Sequence, residues 1–442
     1  MKTVGDLKAH ADARLFADDF HAALHAYTAL VRLQPVNLDA RLRVADTLLA
    51  LGEVQRSAVV YTALARHCSH AGYPGRALVA LKILTALEPQ LIALLADLAE
   101  LYAVGSEKLG RSVRISPGDP AAELPEGLDM SAAPPIEQLI PVAEELAADV
   151  KAIAAYPENL PPIPLFSELP EDAFARVLEA LKLVRTRPGD VLIKQGDVGQ
   201  SFFVLARGTV LISRVDDDGK EHRLASLHDG SIFGEMALVS ALPRSATVTS
   251  VTDCDLFEFD RAALAAAAEE VSTIASALDK FTRERLLNNL LATAALFRPL
   301  DRRQRFDLMR RFSAHDVAPG TLIIEEGEPG KGLYVVLSGE MDVSKVDGDE
   351  KVLLATLKPG DVFGEISLLN DSPTTASVTA ATNATVMLLA REYFQRLIAA
   401  VEPIREYVEN LGDERLMDTQ IVMATDADGE IEELSEDDFI LI

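Results

Sequence analysis

The strongest constraint on the fold is a repeat of glycines and aromatic residues spaced 131 positions apart. The first copy contains Leu165-Phe166, Gly189, Gly196, Gly199 and Gly208, which return as Leu296-Phe297, Gly320, Gly327, Gly330 and Gly339. The triplet Phe233-Gly234-Glu235 returns 130 positions later as Phe363-Gly364-Glu365, so the second copy has lost one residue before this point. This many coincident offsets indicate that residues 165 to about 412 hold two copies of one domain.

Each copy is predicted to be a small antiparallel β-domain. Runs rich in β-branched and aromatic residues separate the glycines, at 191–193, 202–205 and 210–212 in the first copy and at 322–324 and 333–337 in the second. Asp218-Gly219 and Asp347-Gly348 are typical of tight hairpin turns. We therefore predict a jelly roll with helices at both ends, followed by an alanine- and leucine-rich helix at 261–296 and at 391–411.

The first hundred residues predict an all-α segment of repeated helix pairs. Apolar residues recur with helical spacing over 8–103. Ala23, Tyr27 and Leu30 return 34 positions later as Ser57, Tyr61 and Leu64, and Gly52 stands at a predicted turn between two helices. A third, phase-shifted copy lies at 65–89. This period is typical of tetratricopeptide-like helical hairpins, with an ordinary helical bundle as the alternative.

Two further segments differ from these domains in composition. Residues 104–164 contain ten prolines and one amphipathic run at 136–154, which predicts a proline-rich linker with a short helix. Residues 416–442 predict an acidic tail, which is expected to be disordered from Thr425 onward. The predicted order is helical repeats at 1–103, linker at 104–164, β-domains at 165–295 and 296–415, and tail at 416–442. The fold class is multidomain α+β, with N-terminal all-α helical repeats before two β jelly-roll domains with flanking helices.

The composition argues against several classes of protein. The formal charge is −27, from 42 basic and 69 acidic residues, so most of the surface would repel nucleic acid and no DNA binding is predicted. The two cysteines, Cys68 and Cys254, exclude a disulfide framework and a cysteine-ligated cluster, and they favour a reducing cytoplasm. Apolar runs stay below ~18 residues, so no membrane insertion is predicted. The sequence shows no catalytic, metal or cofactor motif tied to a pocket, which predicts a protein that is not an enzyme.

One motif in the first copy specifies a ligand with an anion and a sugar hydroxyl. Phe233-Gly234-Glu235-Met236-Ala237-Leu238 is followed closely by Pro243-Arg244-Ser245-Ala246-Thr247. A glycine before a short helix lets backbone N–H groups approach a ligand, and the start of the helix favours an anion there. Arg244 would supply a bidentate partner for that anion. Glu235 would accept a hydrogen bond from a sugar hydroxyl, so the pair predicts a nucleotide-like ligand.

This run resembles the phosphate-binding cassette of cyclic nucleotide-binding domains, as found in the catabolite activator family and in regulatory subunits of cAMP-dependent protein kinase. The resemblance covers residues 165 to about 290 and includes the whole glycine framework. It implies that Glu235 binds the ribose 2′-hydroxyl and that Arg244 binds the cyclic phosphate. It also implies backbone contacts from Gly234, Ala237 and Ser245, with Met236 and Ala246 completing the ligand-binding run. Ser245 permits either cAMP or cGMP.

The second copy departs from this pattern at one position. Phe363-Gly364-Glu365 is intact, but Thr374 stands where the first copy has Arg244. A possible second site would contain Gly364, Glu365, Ser367, Thr374 and Thr375. Glu365 would then face an anionic ligand without a compensating cation, unless Lys331 or Lys345 reaches in from a loop. We therefore predict that the second site is silent or selects another ligand, and that one cyclic nucleotide binds tightly per chain.

The leading hypothesis is a non-catalytic sensor of cAMP or cGMP that passes ligand binding to a protein partner through the helical repeats. The alternatives are a scaffold with two vestigial pockets and, in third place, a transcription regulator. Inhibition of a kinase is not carried over from the resemblance, because residues 110–116 match an inhibitory Arg-Arg sequence poorly.

Overall fold

The computed structural model describes residues 1–428 except positions 89–92, 112–117, 129, 131, 154–155, 217, 236–242 and 348–349. The chain forms two compact units, Met1–Phe281 and Thr282–Ile442. The first unit contains the helical segment and the first β-domain, and the second unit contains the second β-domain. None of the helices in the described part of the chain is both long and apolar enough to cross a bilayer.

The helical segment is built from consecutive helices that pack on one another. In the described part of residues 1–103 the helices are α1 (Val4–Phe16), α2 (Phe20–Leu33), α3 (Leu38–Ala50), α4 (Val54–His70), α5 (Pro74–Leu87) and α6 (Ala93–Tyr102). Each helix from α1 to α5 contacts the next. Gly52 has φ +83° between α3 and α4, at the predicted turn.

The 34-residue spacing is visible in matching hydrogen bonds. The hydroxyl of Tyr27 on α2 donates to Asp12 at 2.6 Å. The hydroxyl of Tyr61 on α4 donates in the same way to Asp46, and both members of this pair lie 34 positions later. The first pair therefore joins α1 to α2 and the second joins α3 to α4 by the same contact, at the period that the sequence shows.

The proline-rich segment adds a helix to this layer. Helix α7 (Ile136–Ala148) packs against α2, α3 and α4. The buried guanidinium of Arg41 on α3 donates to the carbonyls of Leu146, Ala147 and Asp149, at 2.7, 3.0 and 2.9 Å. These carbonyls lie at the C-terminal end of α7, where a helix has unsatisfied acceptors and a partial negative charge. Arg41 therefore caps α7 and holds it on the helical layer.

The described residues of the first β-domain form a jelly roll of eight strands. Its strands are β1 (Lys182–Thr186), β2 (Val191–Ile193), β3 (Ser201–Arg207), β4 (Thr209–Val215), β5 (Glu221–His228), β6 (Ile232–Phe233), β7 (Thr247–Ser250) and β8 (Cys254–Asp260). They form two antiparallel sheets with the orders β1-β8-β3-β6 and β2-β7-β4-β5. Helix α8 (Glu171–Ala180) precedes the strands, and α9 (Arg261–Glu270) and α10 (Ser272–Thr293) follow them.

The second β-domain repeats this topology strand by strand. Its strands are β9 (Phe312–Val317), β10 (Leu322–Ile324), β11 (Gly332–Ser338), β12 (Met341–Asp347), β13 (Glu350–Leu357), β14 (Val362–Phe363), β15 (Ser377–Ala380) and β16 (Ala384–Ala390). The sheet orders β14-β11-β16-β9 and β10-β15-β12-β13 match those of the first domain. The fold class predicted from the repeat is therefore confirmed.

The helices of the second domain differ from the sequence prediction at the chain end. They are α11 (Arg302–Met309), α12 (Glu365–Leu369), α13 (Arg391–Ala400) and α14 (Glu402–Asp428). A disordered tail was predicted from Thr425, but α14 continues through Asp428. The prediction is therefore wrong for 425–428, because the buried residues Ile404 and Val408 anchor the start of this helix and propagation is easy from there. Residues 429–442 lie outside the described part.

A network of buried charges joins the helical segment to the first β-domain. Arg207, at the end of β3, is 3 % exposed and donates to Asp253 at 2.7 Å and to Asp255 at 2.8 Å. Arg43 on α3 also pairs with Asp253. Arg185 on β1 pairs with Asp255 at 3.0 Å and with Asp46 on α3 at 2.9 Å. Charges from both parts thus neutralise one another at the contact.

The arginines determine the ionisation of the central carboxylates. Burial alone would raise the pKa of Asp255, but Arg207, Arg185 and Arg43 reverse this and hold its pKa well below the usual range. Burial would also raise the pKa of Asp253, but Arg207 and Arg43 hold that pKa well below the usual range. Because the folded-state pKa is lowered, the stabilisation is present above the unfolded-state pKa of about 4 and is lost as the pH falls below it.

Replacing one carboxylate tests this network. Asp255→Asn should lower the free energy of unfolding by about 3–5 kcal/mol at pH 7, because it leaves buried guanidinium groups short of a counter-charge. The difference from wild type should begin to shrink as the pH falls below about 4. Urea denaturation followed by circular dichroism measures both effects. Asp216→Asn is the control, since Asp216 pairs with His222 on an exposed turn and should change little. Equal effects of the two variants would contradict the network.

Candidate functional site

The predicted ligand motif of the first β-domain contains a glycine in a left-handed backbone conformation. Gly234 follows β6 with φ +82°, a conformation that favours glycine. A Cβ atom there would lie 2.9 Å from Ile193 Cδ1 and 3.0 Å from Arg244 Nη1. The cassette backbone therefore approaches both the apolar wall at Ile193 and the guanidinium of Arg244.

Arg244 is held at the centre of the motif by both its backbone and its side chain. Its backbone N–H donates to Asp197 at 2.8 Å, and its carbonyl accepts from Gly196 at 2.8 Å. Its guanidinium donates to the carbonyls of Gly234 at 2.8 Å and Ser201 at 2.6 Å. These contacts engage two of the five N–H donors of the guanidinium.

The charge on Arg244 is partly desolvated. Burial lowers the pKa of this guanidinium, and the nearby carboxylate of Glu235 only partly opposes the effect. A Cβ atom on Gly199 would lie 2.0 Å from Arg244 Nε, so the glycine makes room for the side chain. A phosphate beside the guanidinium would compensate for its lost hydration, which is the requirement of an anion site.

The structure places the other predicted residues around this centre. Glu235 directly follows Gly234 and is half-buried, Ala246 is half-buried, and Ser245 is exposed. Met236 and Ala237 lie outside the described residues. The described part of the motif thus brings a carboxylate and an arginine to one glycine, as the sequence pattern predicted.

The second domain repeats the backbone of this site with a different side chain. Gly364 follows β14 with φ +84°. Thr374 donates its backbone N–H to Glu328 at 2.9 Å and accepts from Gly327 at 2.9 Å, which are the counterparts of the two Arg244 backbone contacts. The hydroxyl of Thr374 donates to the carbonyls of Glu325 and Glu328. Thr374 therefore occupies the arginine position and turns its hydroxyl to the backbone.

The prediction that Glu365 has no compensating cation is wrong. Glu365 is 1 % exposed and accepts a hydrogen bond at 2.7 Å from Arg415, which also donates to the carbonyl of Val362 at 2.7 Å. Arg415 lies on α14, 50 positions after Glu365, so no local pattern signals the pair. Lys345 lies 3.8 Å from Glu326, and Lys331 lines an adjoining cavity that shares Ile324 and Thr374 with this site.

All five residues predicted for the second site line one cavity. Its lining combines the cassette, the inner face of the jelly roll and α14: Ile324, Val343, Leu354, Ala355, Leu357, Phe363, Gly364, Glu365, Ile366, Ser367, Thr374, Thr375, Ala376, Val378, Arg415, Asp418 and Thr419. Sequence reasoning missed Arg415, Asp418 and Thr419. Their i, i+3, i+4 spacing on α14 is a helical-face signal, but only the fold shows that this face covers a cavity.

A family model of the cyclic nucleotide-binding domain matches residues 183–270 and 314–401. Both β-domains are cyclic nucleotide-binding domains. These matches coincide with the two jelly rolls and include Gly234, Glu235 and Arg244 in the first and Gly364, Glu365 and Thr374 in the second. Among the described residues, no group of three or more His, Cys, Asp or Glu side chains is arranged to hold a metal ion.

The chain is similar to regulatory subunits of cAMP-dependent protein kinase. It is 36 % identical to the subunit of Yarrowia lipolytica over 54 % of this chain and 59 % of that protein, and 34 % identical to that of Hypocrea atroviridis over 56 % and 53 %. A structure of the regulatory domain of Toxoplasma gondii PKA with cAMP is 27 % identical, covering 57 % of this chain and 92 % of that chain with a TM-score of 0.28. The chain spans little more than half the length of the two curated relatives.

Removing the arginine tests the first site. Arg244→Ala should weaken cyclic nucleotide binding by ~2–4 kcal/mol, about 30-fold to several hundredfold, through loss of a charge-assisted bidentate contact. Calorimetry with cAMP and cGMP measures the change and also determines which nucleotide is preferred. Arg223→Ala, which removes an exposed arginine of β5, is the matched control. Binding by Arg244→Ala within threefold of wild type would show that the phosphate lies elsewhere.

The role of the Glu235 carboxylate is tested with a ligand that lacks the ribose 2′-hydroxyl. Glu235→Ala should weaken binding of the parent cyclic nucleotide more than binding of its 2′-deoxy analogue, because the analogue has no 2′-hydroxyl to donate a hydrogen bond to Glu235. Competition between each nucleotide and a fluorescent analogue measures the four affinities. Equal losses for both ligands would remove the ribose role from Glu235.

Proposed function

We propose that this chain is a non-catalytic sensor of cAMP or cGMP, with the first β-domain as the tight binding site. The observation that carries the proposal is the partly desolvated guanidinium of Arg244, held against Gly234 with Glu235 as the next residue. In this assignment Arg244 binds the cyclic phosphate and Glu235 the ribose 2′-hydroxyl. Gly234, Ala237 and Ser245 contribute backbone contacts, and the apolar wall at Ile193 faces the rest of the ligand.

The route from this site to the helical segment runs along strand β3. The strand begins at Ser201, whose carbonyl accepts from Arg244, and ends at Arg207, the centre of the buried charge network. A paired strand of seven residues is stiff. A change in the contacts of Arg244 therefore displaces Ser201, and the strand passes this displacement on to Arg207. Arg43 and Asp46 receive this change on α3. The nucleotide can shift the equilibrium between the original and the displaced positions of β3 only by as much as its affinities for the two differ.

The output is a protein–protein interaction of the helical segment. Its helices resemble tetratricopeptide hairpins, which bind proteins along a stacked surface. A kinase catalytic subunit is a candidate partner, because the relatives are named as kinase regulatory subunits. The scaffold alternative predicts no nucleotide binding in a titration, and the transcription-regulator alternative predicts a salt-dependent DNA shift.

Transmission is tested by hydrogen exchange on the intact chain. Saturating cAMP or cGMP should change amide exchange in α3 by at least about twofold in wild type, because α3 carries Arg43 and Asp46. Arg43→Gln should abolish this change while leaving nucleotide affinity within about threefold, since Arg43 lies outside the ligand motif. Arg176→Gln, on the exposed face of α8, is the control. Because residues 1–281 form one compact unit, these variants test the idea more cleanly than deletion of the helices. Unchanged exchange in wild type would refute transmission by this route.

A further inference from the structure

The two nucleotide-binding folds differ in where they place their positive charge. In the first domain the guanidinium of Arg244 lies against Gly199, Gly234 and the Ser201 carbonyl, which is the end assigned to the phosphate. Gly330 is the counterpart of Gly199, and a Cβ atom there would lie 2.1 Å from the hydroxyl of Ser367. A neutral serine side chain therefore fills space that the first domain gives to a guanidinium.

The hydroxyl groups at this end of the second cavity already donate to the protein. Ser367 donates to the carbonyl of Gly364 at 3.2 Å, and Thr374 donates to the carbonyls of Glu325 and Glu328. A hydroxyl has a single proton to donate. Neither side chain is thus arranged to stabilise a phosphate, which needs cations or donors.

Among the residues that line this cavity, the cation is Arg415, which lies at the other end beside the carboxylate of Glu365. Arg415 contacts Glu365 and the Val362 carbonyl, so its charge is matched by the carboxylate. The charged residues that line the described cavity are Glu365, Arg415 and Asp418, with a formal sum of −1. Adding a phosphate would place a second uncompensated negative charge in a partly desolvated pocket, which is unfavourable.

The remaining features of the cavity suit a sugar and a base. Ile324, Val343, Leu354, Leu357 and Val378 provide an apolar wall. The cavity is partly open to solvent, so a small molecule can enter it from the surface. A carboxylate has about four acceptor positions, so the contact of Glu365 with Arg415 is compatible with a sugar hydroxyl on the same group.

We propose that the second β-domain binds an uncharged nucleoside rather than a cyclic nucleotide. The ribose diol donates to Glu365, whose orientation is fixed by Arg415, and the base packs on the apolar wall. The end that holds the phosphate in the first domain accommodates a neutral hydroxyl group beside Ser367 and Thr374. This inference concerns the second cavity and does not depend on the cyclic nucleotide specificity of the first.

The test is calorimetry on the intact chain with adenosine, guanosine, cytidine and uridine, and separately with cAMP. At least one nucleoside should bind with a stoichiometry near one, and Arg244→Ala should leave this binding within about twofold while weakening cAMP. Glu365→Gln should weaken the nucleoside by about tenfold or more and leave cAMP binding unchanged. Thr374→Arg should add a second cAMP event.

A second measurement uses only the wild-type protein, so it tests the role of Glu365 even if Glu365→Gln fails to fold. The 2′-deoxy form of the bound nucleoside should bind wild type about tenfold more weakly than the parent, because it lacks the hydroxyl that donates a hydrogen bond to Glu365. Three results would overturn the proposal: no binding of any of the four nucleosides at about 1 mM, two tight cAMP events in wild type, or loss of nucleoside binding in Arg244→Ala.

Discussion

In the first compact unit, the charged contact between the helical segment and the β-domain depends on the buried guanidinium of Arg207. Arg207 is almost fully removed from water, and a guanidinium in that position requires carboxylates beside it. Asp253 and Asp255 meet this requirement, and they in turn bind Arg43 and Arg185, which lie on a helix and on a strand. A buried ion pair of this kind contributes little net stability compared with apolar packing, but a misplaced partner is costly. The network therefore fixes the orientation of the helices on the β-domain more than it strengthens their attachment.

The two β-domains show how one scaffold supports different chemistry. Strand order, the left-handed glycine before each cassette and the backbone contacts of Arg244 and Thr374 are the same in both. The difference lies in a few side chains, since Arg244 is replaced by Thr374 and Arg415 arrives from α14. Apolar packing and glycine conformation preserve the fold, whereas the position of the cation differs between the two sites.

The sequence alone predicted the parts of the structure that depend on local pattern. The 131-residue glycine repeat indicated two jelly rolls, and the triplets at Gly234 and Gly364 located both cassettes. Pairings between distant residues could not be predicted. Arg415 stood at the edge of an expected tail, and Arg43, Asp253 and Asp255 resembled ordinary surface charges, because burial of a charge depends on tertiary packing. The end of α14 at 425–428 was missed for the same reason, since its acidic sequence is ordered by packing at the start of the helix.

The charge network also bears on the order in which the chain is made. Arg43 precedes its partner Asp253 by 210 residues, and Asp46 precedes Arg185 by 139, so both leave the ribosome long before their partners exist. During this interval Arg43 and Asp46 remain in water as ionised side chains, which water solvates well. The charged part of the docking face therefore gives other chains no apolar surface to bind, whereas its apolar part, which belongs to the hydrophobic cluster shared with the β-domain, stays exposed until that domain is complete.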